Sequence, residues 1–472
     1  MVTRSNEAGS GNYRNEYFAA VTATLSLVAT VATAGWSSPA IPALLSPESH
    51  IKITPDQGSW IVSILSIGGC FGAIIMSPLV DHFGRKFTLI ISMIPLVIGW
   101  IMIVFATNVP TIYVARFLHG LAYGTTYGVA PIYLGEISSK TIRGSTGVLV
   151  TVMAKLAFLL QYSIGPYVSF RSLALISLVF PAIFLVTFCW MPETPYHYLA
   201  HGNDEAALNS LRWLRRSDFY NEDFRQEFHQ MQSLVEKNRH DRRSLLDLLT
   251  KRNRKSLGII LLLSFGMQLT GINAILGYSQ TIFSELEMNL TAAELSIILA
   301  IVQLVAVFIP TFFVDKTGRR PLLLISSIAS VIALTICSSY FTLDAMGYPV
   351  DTLGWIPFVA TLGFIVSFAL GLATVPFAIL GEIFPKNIKA NANAVFTVIT
   401  SLIVFTVVKL FQIISDGAGT YVVFWIFATC TTVTTVLIYF WIPETKGKSF
   451  EEIQQLMERD VDKEGKLTTT VC

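Results

Sequence analysis

Three cations, Arg116, Lys155 and Lys409, and three amides, Gln268, Asn273 and Gln303, lie inside stretches otherwise made of residues that shun water. A primary amide donates and accepts hydrogen bonds, as a polyol hydroxyl does, so amides held in apolar surroundings can recognise a hydroxylated solute. Their ordinary alternative is to join one helix to another. Lys155 is the costliest of the six. It stands twelve residues past Arg143, ~18 Å along a helix and so near mid-bilayer. There a cation costs at least ~2.5 kcal/mol on insertion scales and turns toward the bundle interior or a wet cavity. Thr151 is one turn earlier on the same side. Carbonyls or water would satisfy Lys155 without any binding role, and the residue types leave both readings open.

A second constellation is charged and duplicated. Asp81-His82-Phe83-Gly84-Arg85-Lys86 returns as Asp315-Lys316-Thr317-Gly318-Arg319-Arg320, 234 residues on. Tyr133-Leu134-Gly135-Glu136 with Arg143 returns as Gly381-Glu382-Ile383-Phe384-Pro385 with Lys389, and Pro192-Glu193-Thr194-Pro195 returns as Pro443-Glu444-Thr445-Lys446, at offsets of 246 and 251. A lone copy reads as a basic turn; three motifs, each present twice and in register, mean internal duplication. Opposite charges that gather on one face can pair between the halves and release as a cavity changes sides. An exposed pair is worth about 1 kcal/mol or less, so several are needed to bias two close states. Arg85, Glu136, Arg143, Arg319, Arg320, Glu382 and Lys389 are the expected gate. Glu193 and Glu444 are equally suited to capping helix ends.

The elements that must position these groups are membrane spans. Hydrophobic residues make up 53% of the 472-residue chain, charged ones 14%, and mean hydropathy is +0.60, too apolar for a surface facing water. Twelve apolar stretches, roughly 18–44, 58–80, 87–106, 109–135, 145–167, 170–190, 256–284, 293–314, 321–342, 354–381, 391–414 and 418–442, approach or exceed the ~20 residues that cross a bilayer. The expected fold is an all-α membrane protein of two six-helix halves, 18–190 and 256–442, joined by a helical linker, 191–255, between an N-terminal segment, 1–17, and a tail, 443–472. With both termini inside, 28 of the 33 Lys and Arg residues fall on the cytoplasmic side. That orients the chain as a multi-pass membrane protein with both termini cytoplasmic and a retained first span rather than a signal peptide, and the plasma membrane is its expected location.

In the linker, Phe224, Phe228, Met231 and Val235 recur at helical spacing, as do Leu208, Leu211 and Leu214. Ser449-Phe450-Glu451-Glu452 opens a short helix through Met457 by a capping box, and the chain beyond about 460 reads as disordered. Gly120, Gly124 and Gly128 form a smooth face for close helix approach, while Gly266, Gly271 and Gly277 loosen the stretch that carries Gln268 and Asn273. Five cysteines show no pairing pattern. Asn289-Leu290-Thr291 is a possible glycosylation sequon in an outer loop.

Such a duplicated bundle is how secondary transporters are built, with solute held where the halves meet. The chain resembles the sugar porters of the major facilitator superfamily over essentially its full length. The resemblance rests on both Asp-x-x-Gly-Arg-Arg/Lys loops, Arg116-Phe117, Pro131-x-Tyr133-x-x-Glu136, Pro192-Glu193-Thr194-Pro195, Gln268-Leu269-Thr270-Gly271-Ile272-Asn273 and Pro443-Glu444-Thr445-Lys446-Gly447. Gly35-Trp36, Gly58-Ser59-Trp60 and the stretch ending at Lys409 look most similar to insect facilitated trehalose transporters. The resemblance implies a sugar site at Gln268, Asn273, Gln303, Thr151, Lys155, Phe377 and Tyr278. Departures are several: Thr151 replaces a family glutamine, Thr400 and Ser401 an asparagine and a tryptophan, Met267 a second glutamine, and Phe377 a tryptophan of the glucose facilitators. Proton-coupled relatives carry an acid in the first span, and residues 18–45 contain none. The expectation is facilitated sugar uniport by alternating access, for trehalose or a monosaccharide. No enzyme motif, metal, cofactor or nucleic-acid partner is expected, only a sugar, the bilayer and a functional monomer. The rivals are a porter of another solute, anionic given Lys155, and a non-transporting sugar sensor.

Overall fold

The computed structural model describes residues 13–216, 222–239, 250–384, 386–448 and Glu452. The expected tail helix and the disordered tail lie outside the described residues apart from Glu452. Eleven helical spans are long and apolar enough to cross a bilayer: Arg14–Leu45, Pro55–Phe83, Arg85–Val104, Arg143–Tyr167, Phe170–Phe188, Asn253–Gly277, Ala292–Phe313, Arg319–Ala345, Trp355–Ile383, Asn391–Ala418 and Thr420–Trp441. Fourth in chain order comes Val109–Ile137, a 29-residue helix. Arg116, His119 and its glycines dilute its apolar character, and it completes the set of twelve. Spans are numbered below in that order.

Sequence chemistry sets their ends. Thr54 and Gln57 exchange side-chain and backbone hydrogen bonds to start the second span, and Asn108 caps the fourth. Gly84 and Gly318, with φ of 91° and 95°, make the reversals into the third and ninth spans. A side chain is strained at that φ, which is why glycine holds the same place in both copies.

Several spans are not the continuous rods their hydropathy suggests: the sixth, eighth and tenth are each split into two helices, and two further breaks bear on the site. The first span bends at Trp36, between helices Arg14–Gly35 and Ser37–Leu45. The stretch read as 256–284 is three helices, Lys251–Gln268, Ile272–Gly277 and Ser279–Ser284. The main break falls at Gly271, whose φ is +78°. Gly266 has a different role from the one expected of it, because the helix runs through it unbroken and it clears space for Thr434.

Glycine also sets the closest approach in the first half. A Cβ on Gly120 or Gly124 would strike the second span at Leu65, Gly68 and Gly69, and one on Gly128 would strike Met76. Gly68 and Gly72 reciprocate against Phe117, Gly120 and Leu121. The interior is accordingly rich in small and polar residues. Thr24, Ser26, Thr30 and Thr33 of the first span are fully buried and bond to carbonyls three or four residues back. Large apolar side chains face outward instead, as in the row Ile325, Ile328, Ile332 and Ile336 along the ninth span. An exposed apolar surface of that kind needs lipid as its solvent.

The linker forms helices Pro195–Ala200, Asp204–Arg215 and Glu222–Arg239. Leu199, Ala207, Leu211, Phe224, Phe228 and Met231 make its own small core, with Leu208 and Val235 beside it. Leu214 instead joins the main core. Arg215 ties the linker to the first half: its guanidinium pairs with Glu227 at 2.8 Å and with Glu16 at 3.1 Å, and donates to the Ile137 carbonyl at 2.8 Å. Ser210 Oγ donates to the Glu193 carbonyl and Asn15 Nδ2 to that of Trp213. The linker thus marks one face of the bundle, called the linker face below.

Candidate functional site

Each duplicated charged motif folds into a clasp within its own half. In the first, Arg85 Nε and Nη2 donate to Glu136 Oε1 at 3.1 and 2.8 Å, and Thr194 Oγ1 donates to Glu136 Oε2 at 2.6 Å. Glu193 accepts the Lys86 N–H at 2.8 Å and the Thr194 N–H at 2.8 Å. In the second half, Arg319 meets Glu382 Oε1 at 3.2 Å, while Glu444 accepts the N–H groups of Arg319, Arg320 and Lys446 at 2.9, 3.1 and 2.9 Å. Glu193 and Glu444 therefore cap the first turns of the third and ninth spans, where unpaired N–H groups favour a carboxylate.

The clasps are not twins. Glu382 Oε2 and Thr445 Oγ1, the counterparts of the Glu136–Thr194 bond, are both buried without a partner among the described residues. Burial pushes the Glu193 carboxyl above its ordinary range in spite of its amide donors. Burial opposes ionisation of Glu444 too, yet the N–H groups of Lys446, Arg319 and Arg320 outweigh it and hold that carboxyl below the ordinary range.

Among the described residues these charges pair within a half rather than across the halves as expected. Both pairs are internal to a half, because each arginine leaves a turn that packs on its own half's fourth or tenth span. Arg143 is exposed, and its bond to the Ser138 carbonyl is a long 3.5 Å. Arg320 lies over the Tyr439 ring, 5.4 Å from its centroid, and donates to the Tyr439 carbonyl. The side chain of Lys389 lies outside the described residues.

Contacts between the halves are found elsewhere. Lys155 Nζ donates to Gln303 Oε1 at 3.1 Å, joining the fifth span to the eighth about midway along each. Tyr162 donates to the Leu276 carbonyl, Ser38 and Ser279 share a 2.7 Å bond, and the Gln280 N–H donates to Ser38. Lys409 Nζ reaches Asp56 Oδ1 at 2.6 Å and Ser59 Oγ at 2.7 Å, and lies 4.5 Å from the Trp60 ring centroid. Trp60 in turn faces Phe405 at 5.9 Å. Among the described residues, every hydrogen bond and ion pair between the halves lies from mid-span to the face opposite the linker.

The predicted binding residues divide into groups. Asn273 Nδ2 donates to Gln268 Oε1 at 2.6 Å, closing the break at Gly271. Tyr278 is buried and stacks on Phe411 with centroids 4.9 Å apart, its hydroxyl unpartnered among the described residues. Phe377 is half exposed, edge-on to Phe396 at 5.4 Å. Thr151 is exposed and bonds back to the Val148 carbonyl. No bond joins the Gln268–Asn273 pair to the Lys155–Gln303 pair among the described residues. Thr400 and Ser264 share a hydroxyl–hydroxyl bond at 2.5 Å, and Ser401 Oγ donates to the Thr397 carbonyl.

Arg116 is buried against the first two spans. Its Nε donates to the Ile61 carbonyl at 2.9 Å, Nη1 to that of Thr33 at 2.5 Å and Nη2 to Ser37 Oγ at 2.8 Å, and Trp36 lies 5.3 Å away. Its partners are neutral. Asn289 is exposed, and Thr291 of the same sequon caps the eighth span by accepting the Glu294 N–H.

Two clasped halves of apolar spans that touch across a central seam make a multi-pass membrane protein built like a transporter. The sequence model of the sugar (and other) transporter family matches residues 19–457, and the chain belongs to that family. It is 34% identical over 452 residues to the facilitated trehalose transporter Tret1 of Culex quinquefasciatus, covering 93% of this chain and 86% of that one. The namesakes in Aedes aegypti and Anopheles gambiae are each 33% identical over 94% of this chain, which spans only 55% and 56% of their lengths. Among solved structures the fold matches the inward-open xylose transporter XylE from E. coli with a TM-score of 0.78 at 20% identity, over 93% of this chain and 99% of that one. XylE bound to 6-bromo-6-deoxy-D-glucose matches at 0.75, again at 20% identity, over 94% and 99%. The likeness places this chain in the major facilitator fold.

Proposed function

We propose that the chain is a facilitative sugar porter of the plasma membrane, with both termini cytoplasmic, working as a monomer by alternating access. The observation that carries this reading is the one-sided seam. The halves bond at mid-span and at the face opposite the linker, while the clasps on the linker face stay within their halves. That is the arrangement of a carrier closed on one side. The Gln268–Asn273 pair at the broken seventh span supplies amides suited to sugar hydroxyls, and the relatives are named for trehalose. Uniport is favoured by Arg116, which bonds the Thr33 carbonyl and Ser37 hydroxyl of the first span and the Ile61 carbonyl of the second, and by a first span that holds no carboxylate between residues 18 and 45.

The test is uptake of labelled trehalose and monosaccharides into proteoliposomes holding the purified protein, with external pH recorded. Saturable uptake without alkalinisation supports the reading. Uptake that alkalinises the medium would overturn uniport, and binding without uptake would point to a sensor.

A further inference from the structure

The bond that crosses the middle of the seam is unbalanced. An ammonium has three N–H donors and a primary amide two. Lys155 uses one on Gln303 Oε1, and Gln303 Nε2 is buried with no acceptor among the described residues. Gln303 as a whole is only 2% exposed. A buried donor without a partner costs about 1–3 kcal/mol, and more beside a charge.

The counter-charge is missing as well. Spans one, four and eight pack against the fifth, and the carboxylates they carry near it are at helix ends and already engaged: Glu16 with Arg215, Glu136 with Arg85, Glu294 with the Thr291 cap. Lys155 has no acidic partner among the described residues; the centroid of the Phe158 ring lies 5.6 Å from Nζ. Among the described residues the Lys155–Gln303 pair therefore presents an excess of donors and one positive charge, with no carboxylate bonded to either.

We propose that Lys155 and Gln303 form a subsite for an acidic group, so that the solute carried is a sugar acid or sugar phosphate rather than a neutral sugar. This rests on the sugar-porter reading and sharpens its substrate class. A carboxylate or phosphate oxygen placed between the two side chains accepts from both Lys155 Nζ and Gln303 Nε2, and its charge offsets the ammonium. The hydroxylated part of the solute remains for the amides of the seventh span. Because the carrier holds its own cation throughout, each solute crosses with its negative charge and transport carries current.

Proteoliposomes of the full chain, offered labelled glucose, trehalose, glucuronate, glucose 6-phosphate and inorganic phosphate, test this. The wild-type protein should take up glucuronate or glucose 6-phosphate about tenfold faster than glucose, the factor that ~1.4 kcal/mol confers, and an inside-positive potential should speed that uptake. Lys155→Met should abolish the preference, Lys155→Arg should keep it, and Gln303→Glu, which supplies a carboxylate from the protein itself, should abolish it with the lysine still in place. If wild-type protein carries glucose or trehalose as fast as the acids, the acidic subsite is wrong and the porter reading stands. If no sugar of either kind is carried, both fall. Uptake of inorganic phosphate without any sugar acid, or an unchanged preference in Gln303→Glu, also overturns the proposal.

Discussion

Asn273 and Gln268 meet across the break of the seventh span, and their bond uses one donor and one acceptor that a bound sugar would otherwise take. Asn273→Ala should lower sugar uptake per transporter about tenfold, the scale of one buried hydrogen bond, with surface abundance unchanged by biotinylation. Equal uptake would remove the pair from the site. His197 offers a pH test on the linker. Burial, then His201 and Arg85, lowers its pKa to about 4 from an ordinary 6.5. The unfolded chain thus binds a proton that the folded one refuses, so this group's contribution is full above pH 6.5 and is lost as pH falls toward 4. Melting temperature should fall between pH 7 and pH 5, and His197→Gln should flatten that slope. At this scale the amides and Lys155 stood out in the sequence, because polar groups are conspicuous among apolar ones. Their partners did not, since Lys155 finds Gln303 148 residues away.

Helix pairs carry the next set of consequences. Gly124 abuts the Gly69 carbonyl, whereas Gly147 has open space around it. Gly124→Val should destabilise the detergent-solubilised protein by about 1–3 kcal/mol through overpacking, while Gly147→Ala should be neutral or stabilising by up to ~1 kcal/mol. Thermal unfolding that ranks the two the other way would reject the packing argument. The glycine ladder of the fourth span was readable from its four-residue spacing. Its complement on the second span, Gly68 and Gly72, was not, because one helix's period says nothing of which helix it meets. The second span also meets the eleventh, where Lys409 binds Asp56. Removing that charge with Lys409→Gln should raise labelling of a cysteine at Val62 by a membrane-impermeant maleimide about tenfold, for ~1.4 kcal/mol of lost contact. Unchanged labelling would show that the pair does not hold that face shut. Asp56 and Lys409 are 353 residues apart, and nothing in either neighbourhood names the other.

At the scale of the molecule, duplication was legible because three motifs repeat in register, and the fold followed from counting apolar stretches. The conformation was not legible: under the proposed alternating access the same sequence supports a carrier closed on either side, so composition cannot favour one. The charges expected to form a gate illustrate the limit. Arg85, Glu136, Arg319 and Glu382 were identifiable by type and spacing, yet only coordinates show that each arginine clasps the carboxylate of its own half.

The docking of the linker bears on the order in which the protein is made. Every partner in the first clasp, and every anchor of Arg215, lies between residues 13 and 239. Domains emerge and fold from the N-terminus during synthesis, so the first clasp and the anchors of the linker can form before residue 250 leaves the ribosome, while Ser38, Asp56, Lys155 and Tyr162 wait for partners in the second half. The second half, whose clasp lacks the Thr445–Glu382 bond, then assembles against the first. A fragment released at residue 239 should already resist limited proteolysis at the linker, and Arg215→Ala should make that fragment, more than the completed chain, the species that the cell degrades.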